Sequence, residues 1–249
     1  MNEIKSCTIL GIKIHCVTSK ELTAQVSNCI ETSRKEIFSN VNIHGMNIAA
    51  KNKEFKKFLA DAYINFCDGD GVRLGGKILN KHIPEKITYN RWMWELAEES
   101  SLKGYSWFMV GSSNHVIEVA ATKLKRKYPN LKIAGYHHGY LDDSTTEVLI
   151  REIERCQPNI LIVGMGMPIQ EKWLTDNLAK LSFNVALTGG AVFEYISGAS
   201  KMTPNIYYKL KLEWFYRFLK EPKRLFRRYF IGNPLFVLRV LKQRISAKS

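Results

Sequence analysis

Short apolar runs alternate with segments of helical spacing through the first 200 residues. The runs from Thr8 to Val17, Ile37 to Val41, Tyr63 to Cys67, Trp107 to Val110, Lys132 to Tyr136, Ile160 to Val163 and Asn184 to Leu187 read as strands. Between them, the segments from Glu21 to Ser33, Lys53 to Ala62, Asn90 to Ser101, His115 to Tyr128, Thr145 to Cys156 and Pro168 to Lys180 read as helices. Strand–helix alternation of this kind predicts an α/β domain: a mostly parallel sheet with helices on both faces. Several strands end in a glycine or a polar cluster, at Asn42, Asp68-Gly69, Gly111-Ser112, Gly164-Met165-Gly166 and Gly189-Gly190. In parallel sheets ligands bind beyond these carboxyl ends.

After Gly198 the pattern changes. Aromatic and basic residues alternate without strand signals, and Pro222 and Pro234 divide the segment into three short helices, each proline suited to a first helical turn. Residues 1–200 are thus expected to form the α/β domain and 201–249 a short, basic, helical appendage.

Charge sharpens that division. The 249 residues carry a net +14; from Lys201 onward thirteen lysines and arginines face two glutamates, a net +11, leaving the first 200 residues at +3. A near-neutral body with a strongly basic tail calls for a polyanionic partner, nucleic acid or an acidic membrane surface. Arg217, Lys220, Arg224 and Arg227 would share one helical stripe among Trp214, Phe215, Phe218, Leu219, Leu225, Phe226 and Phe230. This combination suits an interfacial helix on anionic lipid, although a solvated helical pair packed on the domain has the same pattern. The aromatics exceed what a phosphate-tracking groove uses, so nucleic acid is not expected as a partner. No run of apolar residues is long enough to span a bilayer, and MNEIKSCTILGIKIHCV, with Glu3 and an interrupted apolar stretch, does not read as a secretory signal. Five scattered cysteines with no CxxC pair argue against a disulfide framework or zinc site and fit a reducing cytoplasm.

Three stretches carry candidate chemistry. In CDGDG, Asp68 follows a buried strand and precedes a glycine, which exposes a carboxylate at the ligand edge. It can serve as a general base, share a cation with Asp70, or merely form a turn. In NILIVGMGMPIQEKW, Gly164 and Gly166 permit close backbone approach, and the helix opened at Pro168 offers amides to an anion, with Gln170 placed to bond a sugar or base. The plainer reading is a capped strand–helix junction with Glu171 complementing the dipole. In ALTGGAVFEYISG, Gly189 and Gly190 could let a nucleotide lie against the backbone, or simply make a turn. His44 is a pocket candidate, and His137-His138 follow a strand without metal-ligand spacing. Neither GxGxxG nor a Walker loop is present, and no cofactor is expected.

In order along the chain, NIHGMNIAA (Asn42–Ala50), CDGDGV (Cys67–Val72), HHGY (His137–Tyr140), GMGMPIQEKW (Gly164–Trp173), GGAVFEYISG (Gly189–Gly198) and LEWFYRFLKEPKRLFRRYFIGNP (Leu212–Pro234) resemble the motifs of the WecG/TagA/CpsF family of bacterial glycosyltransferases over nearly the full length. The resemblance implies a Rossmann-like domain with a helical C-terminal appendage. It implies transfer, with inversion, of an N-acetylmannosamine-type or related sugar from a UDP-sugar donor to a polyprenyl-diphosphate-linked sugar acceptor in surface-polymer assembly. The enzyme would be peripheral on the cytoplasmic face of the plasma membrane, and self-association into a homo-oligomer is a further implied partner. By the same resemblance Asp68 of the D-G-x-G loop is the base, with Gly69 beside it, and Asp70 occupies a variable position, which favours the base loop over a metal pair. Asn42 and Gln170 match pocket positions, and Arg217, Arg224 and Arg227 match appendage arginines that meet diphosphate. The chain departs from the pattern at Asn40, where a small hydroxyl residue is usual, near Arg91, where an acid is usual, and at Met202, where an arginine is common. These differences leave the donor sugar open.

Overall fold

The computed structural model describes residues 4–247 apart from 205, 208, 209 and 211. The chain begins with a hairpin, β1 (Ser6–Ile9) and β2 (Ile12–His15), whose antiparallel pairing turns at Leu10 and Gly11 with φ of 51° and 76°. A single strand from Thr8 to Val17 is therefore corrected to two. The turn lies inside the apolar run Ile-Leu-Gly-Ile, where only Gly11 marks the positive φ that such a turn requires.

Six strands form the main sheet: β3 (Glu36–Val41), β4 (Ile64–Cys67), β5 (Ser106–Gly111), β6 (Lys132–His137), β7 (Ile160–Gly164) and β8 (Val185–Thr188). Their order is β4-β3-β8-β7-β5-β6 and every pairing is parallel. The architecture is Rossmann-like.

Side chains alternate across the strands into two apolar layers. Val41, Phe108, Leu161 and Val163 meet α2 (Ile43–Ala49), α3 (Lys53–Asp61), α7 (Asp143–Cys156) and α8 (Ile169–Asn177) on one face. Phe38, Trp107, Ile160 and Leu187 meet α1 (Ser19–Glu31), α5 (Tyr89–Lys103), α6 (Asn114–Lys127) and α9 (Val192–Ser197) on the other. The helix after β3 goes to the first face and the helix after its neighbour β8 to the second, so the loops part there and open a crevice at the carboxyl edge. Between β4 and α5 lies α4 (Asp70–Ile78), which starts at the glycine loop.

The C-terminal helices are α10 (Glu213–Lys220), α11 (Pro222–Phe226) and α12 (Asn233–Ser246), with a π turn over Arg227–Gly232 between the last two. Pro222 and Pro234 each fall in the first turn of a helix, α11 and α12, as their sequence positions suggest, while the backbone before Pro234 stays helical through the π turn. A proline ring clashes with the carbonyl four residues back in an α-helix, and the wider π turn lets the helix run through. Phe236 and Val240 of α12 are fully buried in the first apolar layer, each worth about 1.5–3 kcal/mol. Gln243 accepts from the Leu10 amide at 2.8 Å, tying this helix back to the hairpin. No helix among the described residues is long and apolar enough to cross a membrane.

Candidate active site

Strand register builds the site. Val41 of β3 stands beside Cys67 of β4, so the next residues, Asn42 and Asp68, leave the sheet together, and the Asp68 amide donates to the Val41 carbonyl at 2.9 Å. Asn42 caps α2, its Oδ1 accepting from the Gly45 amide at 3.1 Å. Asn40 is buried and its Nδ2 donates to Asp68 Oδ2 at 2.7 Å. The Thr188 hydroxyl, at the end of β8, lies 3.5 Å from Asn40 Oδ1 and 3.2 Å from Ser39 Oγ. That hydroxyl orients the Asn40 amide so that its NH2 faces the carboxylate. Asn40 thus holds one oxygen of the Asp68 carboxylate.

Asp68 shows part of its surface to the cleft while sitting deep among protein atoms. Burial pushes its carboxyl up to about 6, with Asn40 foremost, then Arg217, Asn42 and Arg228, limiting the rise. A carboxylate in this range is ionised at neutral pH yet basic enough to take a proton from a hydroxyl. The second glycine of D-G-x-G has a packing reason: a Cβ on Gly71 would lie 2.2 Å from Ile43 Cδ1.

Asp70 is engaged elsewhere. Its carboxylate pairs with Lys86 at 2.7 Å and more loosely with Arg73 at 3.9 Å, while Lys86 also pairs with Glu213 of α10. Burial pulls the Lys86 ammonium down, but its two carboxylate partners outweigh this and hold it above its ordinary value. Among the described residues no group of three or more His, Cys, Asp and Glu could hold a metal ion.

The cleft over this edge encloses about 590 Å³. Asn42, Asp68, Gly69, Gly166, Gly189 and Gly190 line it from the sheet side, and Arg217, Arg224 and Arg228 from the C-terminal helices. His44 also lines it, as its sequence position suggests; burial, then Arg228 and Arg224, lowers its imidazole to about 4, so it is neutral at neutral pH. Tyr195 lines the cleft too, whereas Phe193 and Ile196 are core. His137 and His138 lie at the end of edge strand β6 and do not contribute to the lining.

Three expected site residues lie elsewhere. Gln170 is fully buried rather than open to a sugar: its Oε1 accepts from the amides of Gly166 and Gly190, both at 3.0 Å, and its Nε2 donates to Glu171 Oε1 at 2.8 Å. One side chain thus ties the glycine loops after β7 and β8 together. The Gly166 amide is committed to that tie and does not face an anion from this helix start. Gly164 does not line the cleft; a Cβ there would lie 2.8 Å from both the Gly190 carbonyl oxygen and the Phe193 ring, so its bareness serves close packing. Arg227 is exposed and outside the lining, and Arg228 takes its place. Arg228 lies four residues beyond Arg224 and Arg227 three, spacings that both return to one helix face, so a stripe continued by three from Arg224 selects the wrong neighbour.

Two residues of consequence were not marked as site members by the sequence. Lys86 belongs to no motif, and its two acidic partners meet it only in the fold. Glu171, read as a dipole complement, is buried, with its carboxyl pushed up to about 7 by burial; Oε2 has no hydrogen-bond partner among the described residues.

The family model described as Glycosyl transferase WecG/TagA/CpsF family matches residues 7–249. The chain belongs to this family. It is a glycosyltransferase. Similar relatives include the N-acetylglucosaminyldiphosphoundecaprenol N-acetyl-beta-D-mannosaminyltransferases of Staphylococcus aureus strains MW2 and NCTC 8325 / PS 47, each 27% identical over 242 residues, covering 96% of this chain and 94% of theirs. The enzyme of that name from strain MRSA252 is 28% identical over the same span. Within the WecG/TagA/CpsF frame, the carboxylate and arginines that share the cleft are the groups with which a glycosyl transfer can be built.

Proposed function

We propose that this glycosyltransferase moves a sugar of the N-acetylmannosamine type from a UDP-sugar to a polyprenyl-diphosphate-linked N-acetylglucosamine, with inversion and without a metal ion. The observation that carries this reading is one cleft holding a single raised-pKa carboxylate, Asp68, opposite Arg217, Arg224 and Arg228. The acceptor hydroxyl attacks the anomeric carbon as the bond to UDP breaks. Asp68 takes the hydroxyl proton, and the negative charge growing on the departing diphosphate is met by the guanidinium groups. Asn40 and Asn42 orient the base, and Gln170 keeps the two glycine loops in register with it.

Metal independence is supported by charge already in place: three arginines can do for the diphosphate what a divalent cation would, and Asp70 is paired with Lys86. The working position is peripheral, on the cytoplasmic face of an anionic membrane, where the exposed Trp214, Phe215, Leu219, Phe226 and Ile231 of the C-terminal helices meet the lipid boundary. The test is release of UDP from a panel of UDP-N-acetylhexosamines with a polyprenyl-diphosphate-GlcNAc acceptor, with and without EDTA. The expected result is turnover with UDP-N-acetylmannosamine that EDTA does not change. Absence of transfer from every donor overturns the reading, and loss in EDTA overturns its metal-free part.

A further inference from the structure

A second cavity of about 570 Å³ opens beside the cleft, between α10, the π turn and α12. Its own walls are Phe230, Pro234 and Leu238. Trp214, Tyr229, Asn233 and Val237 line both cavities, so the two form one passage that is cationic at one end and apolar at the other. The chemistry changes along it within a few residues: Arg224 and Arg228 stand on the cleft side, and beyond Tyr229 no charged residue among the described residues lines the wall. Leu238 is 63% exposed and Phe230 51%, apolar surface turned to an open groove rather than to the core.

The geometry points to this groove as the seat of the first isoprene units of the acceptor's lipid chain. This deepens the function proposed above and rests on it. The acceptor's own diphosphate would share this cationic cleft with that of the departing UDP, and held on the Tyr229 side it would place whatever is esterified to its far end at Tyr229 and Trp214. The group that fits the next stretch is a flexible, uncharged hydrocarbon. A cavity of this volume is the size of a small-ligand site, so it takes the head of the chain and leaves the remainder outside. A planar bilayer surface, by contrast, has no need of a groove continuous with the diphosphate site. Burial of additional methylene groups then makes affinity depend on chain length.

The test uses the full chain without vesicles and compares geranyl with geranylgeranyl diphosphate, each below its critical micelle concentration, by calorimetry or tryptophan quenching. The expected result is at least about tenfold tighter binding of the longer chain, since each CH2 removed from water adds to affinity. Leu238→Gln should shrink that ratio toward one. Phe230→Gln, at a second exposed position, serves if the first variant is poorly folded by circular dichroism. Equal affinities for both chains, or a ratio unaltered in the folded variants, overturn the inference. In a separate sedimentation assay with anionic vesicles, variants that lose vesicle binding while keeping the chain-length ratio also overturn it, because the surface would then be meeting bilayer. No donor is needed, so the two readings fail separately. Chain-length-dependent binding without sugar transfer keeps the groove and removes the proposed reaction; transfer without that dependence does the reverse.

Discussion

The two walls of the cleft are built differently. On the sheet side, Asp68 hangs from residues that are themselves buried: Asn40, Thr188, Val41 and Cys67, with Gln170 locking the neighbouring loops. On the helical side, α10 buries no residue and α11 only Leu225. Burial of one leucine stabilises by about 1.5–3 kcal/mol, so little apolar packing holds the arginines of this wall over the base. The Lys86–Glu213 pair and the buried anchor of α12 supply the rest. The lesson is a division of labour: the Asp68 carboxylate is positioned by the core, while the arginines opposite sit on a helical cover held by little apolar packing.

The strongest way to break this contrast is Asp68→Asn. The amide keeps an acceptor for Asn40 but cannot take a proton, so single-turnover transfer should fall by about 10²–10⁴ while the melting temperature is no lower than wild type, burial having raised the carboxyl that is removed. A loss below tenfold would remove Asp68 from the chemistry. Next in size, Arg228→Gln should lower kcat by about 10²–10³ by withdrawing one charge from the leaving group. Arg227→Gln, on the exposed neighbour, should stay close to wild type; equal losses in the two variants would mean that the arginine assignment is wrong.

Glu171→Gln probes the rigid wall. Burial raises the Glu171 carboxyl from 4.5 to about 7, so the folded state favours its protonated form. That contribution is complete below pH 4.5 and disappears as pH rises through 7. The variant should therefore exceed wild type by about 3 kcal/mol in urea unfolding at pH 8.5 and match it near pH 4. A constant difference across that range would sink the account.

Lys86→Met probes the cover. It removes the cation that Asp70 and Glu213 share and leaves only the looser Arg73 contact to Asp70, at a cost of about 1–3 kcal/mol after allowing for partial exposure of the acids. Hydrogen exchange should quicken in α10 and α11 and not in β3, β7 or β8; uniform loss of protection would show that the two walls unfold as one. The smallest effect is in pH. With Asp68 near 6, kcat/KM should drop to half at about pH 6 and fall further in acid, and a profile flat down to pH 5 would assign proton removal elsewhere.

The parallel sheet was legible because strands buried on both faces must be apolar throughout, and Ile160–Gly164 is such a run. Asp68 stood out as a carboxylate at the ligand edge, but its sequence left base, cation and turn readings open, and the base reading rested on the family resemblance. Gln170 was legible as important but not in its role. Nothing local distinguishes an amide aimed into a cleft from one aimed between two loops, and Gly190 is twenty residues away from it. The exchange of Arg227 for Arg228 turned on whether the stripe steps three or four residues beyond Arg224, and the π turn over Arg227–Gly232, which favours the wider step, has no local sequence signal.

Taken alone, the amino-acid order set the alternation of elements, the placing of polar residues at strand ends and the concentration of positive charge after residue 200. Those follow from local propensity and burial period, which act over a few residues. Tertiary structure alone decided that Asn40 grips the base, that Lys86 joins a loop to a helix 127 residues later, and that an apolar groove continues the cationic cleft. These depend on distances between segments remote in sequence, and such distances exist only once the chain has packed.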